Sequence, residues 1–175
     1  TRNNDFIIKE KKSLWKNKSL FNLFKIGQMP YEWNKILFNY AKKKKILAFS
    51  SVFDEEGVDF LESINNPIFK ISSFEKNHFP LLKKVVKTKK PIMIKRHYGS
   101  SLRDWLGSAE YALVEGNEKI ILCERGVSVP HTHRSTSRFL LDLQVVPAAQ
   151  EVTHLPIVVD PSHATFWRAW VEPMT

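Results

Sequence analysis

PIMIKRHYGSSLRDWLGSAEYALVEGNEKIILCERG, residues 91–126, reads as one strand–helix–strand unit. Its ends, PIMIK (91–95) and KIILC (119–123), are short and nearly all apolar, as expected of parallel strands covered on both faces. Between them Leu102, Trp105, Leu106, Ala109 and Leu113 recur at helical spacing. Ser101 stands where an N-cap belongs, and Gly116-Asn117 where a helix stops.

The same alternation extends outward. ILAFS (46–50), PIFKI (67–71) and PIVVD (156–160) read as further buried strands. Tyr31–Lys43, Glu55–Ser63 and Phe79–Lys87 read as amphipathic helices, and 139–150 as a weaker helix interrupted by Pro147. Five strand starts, near 46, 68, 91, 119 and 156, predict repeated βα units of α/β class. No glycine-rich phosphate fingerprint follows any strand, which counts against a dinucleotide fold.

The composition bounds the function. With 175 residues, 43% hydrophobic and 26% charged, the chain has the profile of one globular domain. No apolar run approaches the roughly 20 residues of a membrane span, so no membrane partner is expected. The polar start TRNNDFIIKEKK lacks the apolar core of a signal peptide. Cys123 is the single cysteine and cannot form an internal disulfide, which favours a cytoplasmic location. The net charge of +9 suggests nucleic acid until its distribution is read. Residues 1–95 hold 20 basic and 9 acidic residues, while 96–175 hold 7 basic and 9 acidic. The run Lys42–Lys45 closes a helix, where positive charge complements the dipole, and reads as a solvated end. The five Trp have no ladder-like spacing with basic residues. Nucleic-acid binding through the Lys-rich first part therefore ranks last among the readings.

In parallel α/β architectures, chemistry gathers at the C-terminal ends of strands. Here those ends read SSVFD (50–54), KISSFE (70–75), Lys95-Arg96, CERG (123–126) and DPSH (160–163). Two lysines, an arginine and several hydroxyls at one mouth suit a small, highly anionic ligand. A single lysine there could equally snorkel to solvent; Lys70, Lys95 and Arg125 on three strand ends favour the ligand. His163 could ligate metal, act as an acid or base, or simply be hydrogen-bonded. His131 and His133 sit in a polar stretch and read as solvated loop. Cys123 reads as a core residue rather than a nucleophile.

These motifs carry a family resemblance. DFIIK (5–9), MPYEW (29–33), FSSVFDEEGVDFLE (49–62), FKISSFE (69–75) and KKPIMI (89–94) resemble the sialic, legionaminic and pseudaminic acid synthases. From residue 95, SAEYALVEGNEKIILCERG (108–126), SRFLLDL (137–143) and THLPIVVDPSH (153–163) resemble 3-deoxy-arabino-heptulosonate-7-phosphate (DAHP) synthase of aromatic biosynthesis. Both families share a (β/α)₈ TIM barrel and condense phosphoenolpyruvate (PEP) with a sugar aldehyde or sugar phosphate. The resemblance therefore implies a single partial barrel domain over 1–175, about five βα units that do not close.

The resemblance also implies roles. Ser51, Lys70 and Ser73 match PEP-binding positions, and Glu75 the acidic residue near the reacting water. Lys95 and Arg125 match residues that hold the PEP phosphate and serve catalysis. His163 matches a metal-binding histidine, implying a divalent metal such as Mn²⁺. Departures are Val52 after Ser-Ser, His97-Tyr98-Gly99 where Gly-Met is typical, and Ser128-Val129-Pro130 after ERG. By this alignment the first-strand cysteine, the eighth-strand glutamate and a later aspartate of the DAHP synthase metal site have no counterpart, nor does the sialic acid synthases' second histidine. The implied function is PEP-dependent aldol-type condensation to a 3-deoxy-ulosonic acid and phosphate. The alternative is a non-catalytic barrel fragment that self-associates through open sheet edges.

The resemblance and the composition change together near residue 95. Residues 1–95 use 19 Lys and one Arg, whereas 96–175 use one Lys and six Arg. Lys, Ile, Asn and Phe have A/T-rich codons and Ala, Arg, Pro and Gly G/C-rich ones, so the chain reads either as a single lineage with uneven drift or as two joined sources, a chimera. On the second reading the coding sequence changes base composition across codons 90–100; uniform codon usage there would refute a join.

Overall fold

The computed structural model describes residues 6–129 and 139–175. The chain divides into two compact units, residues 1–40 and 41–175. In the first, Ile7 and Ser19 form an antiparallel bridge, closed by bonds from Ile8 N–H to Lys18 O and from Asn17 N–H to Ile8 O. Helix α1 (Leu20–Gly27) follows, with the Ser19 hydroxyl accepting from Asn22 N–H at 3.2 Å. Helix α2 (Tyr31–Lys43) runs through the division, and its apolar stripe of Trp33, Ile36, Leu37 and Tyr40 is exposed.

The second unit is built on a five-stranded parallel sheet in the order β1-β2-β3-β4-β5, with sequential neighbours paired throughout. The strands are β1 (Ser50–Val52), β2 (Phe69–Ile71), β3 (Ile92–Lys95), β4 (Ile120–Glu124) and β5 (Ile157–Val159). Helices α3 (Glu55–Ser63), α4 (Phe79–Lys87) and α5 (Leu102–Val114) make the crossovers between the first four strands. Before β5 comes α6 (Val145–Gln150), and after it α7 (Pro161–Thr165) and α8 (Arg168–Val171). Order and parallel pairing are those of a partial (β/α)₈ barrel, left open at β1 and β5.

Register decides which side chains meet. Phe69, Ile92 and Ile120 are directly paired, as are Ile71, Ile94, Leu122 and Ile157. The first six of these residues are completely or almost completely buried, forming a dry layer with Leu82, Val85, Val86, Ala109 and Ala112 of the helices. Trp105 fills the centre at 0% exposure, and its indole N–H donates to Ile94 O at 3.1 Å. That bond satisfies the ring nitrogen while tying α5 to β3. Ser101 and Asp104 form a reciprocal capping box at the start of α5. Their hydrogen bonds hold the Asp104 carboxyl below its usual range.

Three expectations need correction. The strands are covered on one face rather than both, because five strands cannot wrap round to bury the opposite face: Lys70, Met93 and Ile121 are only half-buried. The first strand is Ser50–Val52, not 46–50, and Ile46 and Leu47 are exposed. The ladder ends where Asn66, fully buried, accepts from Ser50 N–H at 3.1 Å and donates to Ile68 O at 2.8 Å. The weak helix expected over 139–150 is helical only as α6, since Leu140 is paired with Val127. Pro147 falls in the first turn of α6, where a missing N–H costs no helical bond. His131 and His133 lie outside the described residues.

Truncating Trp105→Ala should destabilise the fold by about 3–5 kcal/mol, against under about 0.5 kcal/mol for Ile36→Ala on the exposed stripe of α2. Urea unfolding of both variants checks this; equal losses would refute the assignment of the core.

Candidate active site

On the uncovered side of the sheet lies an open cavity of about 570 Å³. Ser51, Lys70, Met93, Lys95 and Cys123 floor it, and Val158, Asp160, Pro161 and Ser162 form one wall. The placement follows from strand geometry. Ser51 pairs with Lys70 and Lys70 with Met93, so all three project to one side; Lys95, Cys123 and Val158 form the next such row.

Lys95 is almost fully buried, and its ammonium donates to Asp160 Oδ2 at 2.8 Å. The same oxygen lies 2.7 Å from His163 Nδ1, and Lys95 Nζ is 3.4 Å from that nitrogen. Asp160 is also the N-cap of α7: its Oδ1 accepts from His163 N–H at 3.1 Å and from the Ser162 hydroxyl at 2.7 Å. Burial would raise the Asp160 pKa, but the Lys95, Ser162 and His163 hydrogen bonds outweigh it and hold the carboxyl well below its usual range. His163 is made less basic by burial and by the Lys95 charge, against the opposing pull of Asp160.

Lys70 stands nearby without a hydrogen bond or ion pair to the described residues. Burial first, and then the Lys95 charge, lowers its pKa. Two ammonium groups thus share one cavity in which Asp160 is the one carboxylate among the described lining residues, an arrangement that favours an incoming anion. Cys123 beneath them is a thiol at neutral pH, since burial pushes it up to about 11. This agrees with its reading as a core residue rather than a nucleophile.

The other candidates sit around this cavity. Arg125, at the end of β4, is almost fully buried with its guanidinium 4.4 Å from the Phe139 ring centre. It does not line the cavity, yet its charge adds to burial, and at His97 to the Lys76 charge, in making His163 and His97 less basic. Ser73 lines a separate cavity of about 320 Å³ with Phe74, Lys76, His97 and Ser100, in which Lys76 donates to the Ser100 hydroxyl at 2.6 Å. Glu75 opens a short 3₁₀ turn (Glu75–Asn77) after β2, with its Oε2 buried and unbonded. The structure therefore brings Ser51, Lys70 and Lys95 together, sets Arg125 and His163 beside them, and places Ser73 and Glu75 on the adjoining loop.

Sequence reasoning missed the partners. Asp160, which anchors Lys95 and His163, was read only as a strand end. Arg96, Glu124 and Asp142 form a buried ionic cluster behind the cavity, with Arg96 Nη1 2.9 Å from Glu124 Oε2 and 2.8 Å from Asp142 Oδ2. The signal for the first pair was strand alternation: if Lys95 and Cys123 face the mouth, Arg96 and Glu124 face the other way.

The resemblance implied a divalent metal at His163. The described donors supply part of such a site, with His163 as the candidate ligand. Among the described residues no three His, Cys, Asp or Glu side chains are grouped to hold an ion. The Nδ1 of His163 faces Asp160, the carboxylate contact that orients a histidine whose other ring nitrogen would hold a metal. No chemical step is accordingly assigned to a metal.

Comparison with known proteins agrees with the sheet. Residues 1–130 match the NeuB family, a match that passes across residue 95. The chain is 40% identical over 108 residues to a phospho-2-dehydro-3-deoxyheptonate aldolase of Thermotoga maritima, covering 62% of this chain and 31% of that protein. It is 39% identical over 90 residues to a pseudaminic acid synthase of Campylobacter jejuni, covering 51% of this chain and 26% of the relative. It is 36% identical over 107 residues to the spore coat polysaccharide biosynthesis protein SpsE of Bacillus subtilis, covering 61% and 28%. A truncated 3-deoxy-D-arabino-heptulosonate 7-phosphate synthase from Thermotoga maritima superposes with a TM-score of 0.75 at 33% identity, covering 82% of this chain and 53% of that one. The chain thus spans roughly a quarter to a third of the length of these curated relatives.

Proposed function

We propose that this chain, which belongs to the NeuB family, forms the anion-holding part of a synthase that condenses PEP with a sugar aldehyde or sugar phosphate. The observation that carries the proposal is the shared cavity of Lys70 and Lys95, two ammonium groups of which Lys95 alone is paired, with Asp160. PEP carries a carboxylate and a phosphate on a three-carbon frame, and suits two cations set on neighbouring strands.

In the proposed reaction C3 of PEP bonds to the aldehyde carbon, water adds at C2, and phosphate leaves with its bridging oxygen. The products are a 3-deoxy-ulosonic acid and inorganic phosphate. Lys70 and Lys95 hold the anionic groups, and the Ser51 hydroxyl donates beside them. Arg125 adds positive charge from its place under Phe139, stabilising the phosphate as charge builds on it. Ser73 and Glu75 serve from the loop after β2, with Glu75 orienting the water.

The single domain over 1–175 belongs to this proposal and is supported by a family match that runs from the first compact unit into the second, over residues 1–130. So does the join near residue 95, which lies within the regular register of β3. A cytoplasmic setting is supported by the single cysteine, and no described helix is long and apolar enough to cross a membrane. Pairing of open sheet edges with a second copy draws its support from Val158 and Val159, exposed on edge strand β5.

Thermal unfolding with and without PEP tests the central claim. At a hundredfold excess over its dissociation constant PEP should stabilise the native state by about 2.7 kcal/mol, visible as a raised midpoint. Lys70→Ala should weaken binding about tenfold or more, the loss expected of a charged hydrogen bond. A sharp transition indifferent to PEP in the unaltered chain would overturn the proposal.

A further inference from the structure

We infer that Glu124 and Arg96 are positioning residues that fix Arg125 beside the anion cavity, an inference that rests on the proposed PEP site. Glu124 is 0% exposed. A carboxylate removed from water is tolerated only when its oxygens are occupied. Those of Glu124 are: Oε2 accepts from Arg96 Nη1 at 2.9 Å, and Oε1 from the backbone N–H of Gly126 at 2.6 Å and of Asp142 at 3.4 Å. Arg96 is held in turn, its Nε donating to Ser100 O at 3.1 Å and its Nη1 also to Asp142 Oδ2 at 2.8 Å.

The consequence lies in the residue between. Glu124 and Gly126 flank Arg125, so the bond from the Gly126 N–H to the Glu124 carboxylate closes a turn around it. The turn has no room to shift. Gly126 has φ +99°, and a Cβ there would lie 2.8 Å from Phe139 Cβ and 2.9 Å from Ala164 Cβ. Phe139 is the ring beneath which the Arg125 guanidinium lies. The backbone of Glu124 acts on the second cation as well: its carbonyl accepts Asp160 N–H at 2.8 Å, and the Asp160 carboxylate holds Lys95. The Glu124 side chain thus acts on the turn at Arg125, while its backbone carbonyl, which glutamine also supplies, ties Asp160.

Stability alone does not explain this choice of residues. Apolar side chains of similar volume often replace a buried ion pair without loss. They cannot accept the Gly126 N–H.

The test is a double-mutant cycle on PEP affinity, measured by calorimetric titration of the chain and its variants. Glu124→Gln keeps the size and an acceptor oxygen but loses the charge that holds Arg96. It should weaken PEP binding about tenfold while Arg125 is present, and less than about twofold in an Arg125→Ala background, because the two residues act through one contact. The unliganded thermal midpoint should fall equally in both backgrounds. Should Glu124→Gln fail to fold, Asp142→Asn loosens the same cluster from its more exposed end and should show the same pattern at about threefold. Equal weakening in the two backgrounds would overturn the positioning role and leave the PEP site standing. Unchanged binding in Arg125→Ala would overturn the inference, whereas no PEP binding by the unaltered chain would instead remove the reading on which it rests.

Discussion

In a parallel ladder successive side chains leave the strand on opposite sides, while residues paired across strands leave on the same side. That constraint organises this protein. Once Phe69, Ile92 and Ile120 share a layer against the helices, Lys70, Met93 and Ile121 must share the opposite one. One step along, Lys95 and Cys123 point to the cavity, and Arg96 and Glu124 have to point away from it. The cationic mouth and the buried ionic cluster behind it are two outcomes of a single register. A slip of one residue would exchange them, turning Lys95 into the apolar layer against the helices and Ile92 and Ile94 to the cavity.

The cavity is electrostatically unfinished, and this gives it its chemistry. Asp160 answers only part of the positive charge of Lys70 and Lys95, and Arg125 adds more from behind. Burial penalises each of these groups, so an anion that enters gains the attraction of cations already stripped of some water. The cluster of Arg96, Glu124 and Asp142 differs in kind: its charges are matched by each other and by backbone groups, and it holds geometry rather than ligand. Proximity of the two systems explains how residues facing opposite ways can still serve one site.

Openness marks the rest of the sheet. β1 and β5 each have one neighbour, and the face that carries the lysines is only half covered. The apolar stripe of α2 and the edge valines Val158 and Val159 are exposed as well. In a closed barrel the inner face would be filled by layers of side chains from alternate strands. Here that space is the cavity, and its wall beyond β5 is provided by the turn at Asp160, Pro161 and Ser162.

Much of this was determined by sequence alone, because it depends on local pattern. Short apolar runs at regular spacing specified parallel βα units, helical spacing around Trp105 specified α5 with its Ser101 cap, and strand-end residues nominated Ser51, Lys70 and Lys95 for one mouth. Local pattern misplaced the first strand, since an edge strand extends only as far as its neighbour and Asn66 allow. It also took the strands to be covered on both faces, a property of closure that no single strand encodes. Only the tertiary structure decided the partners: Asp160 with Lys95 across 65 residues, Glu124 with Arg96 across 28, Arg125 under Phe139. Such pairings depend on distance through space between side chains far apart in the chain, and sequence spacing carries no measure of it.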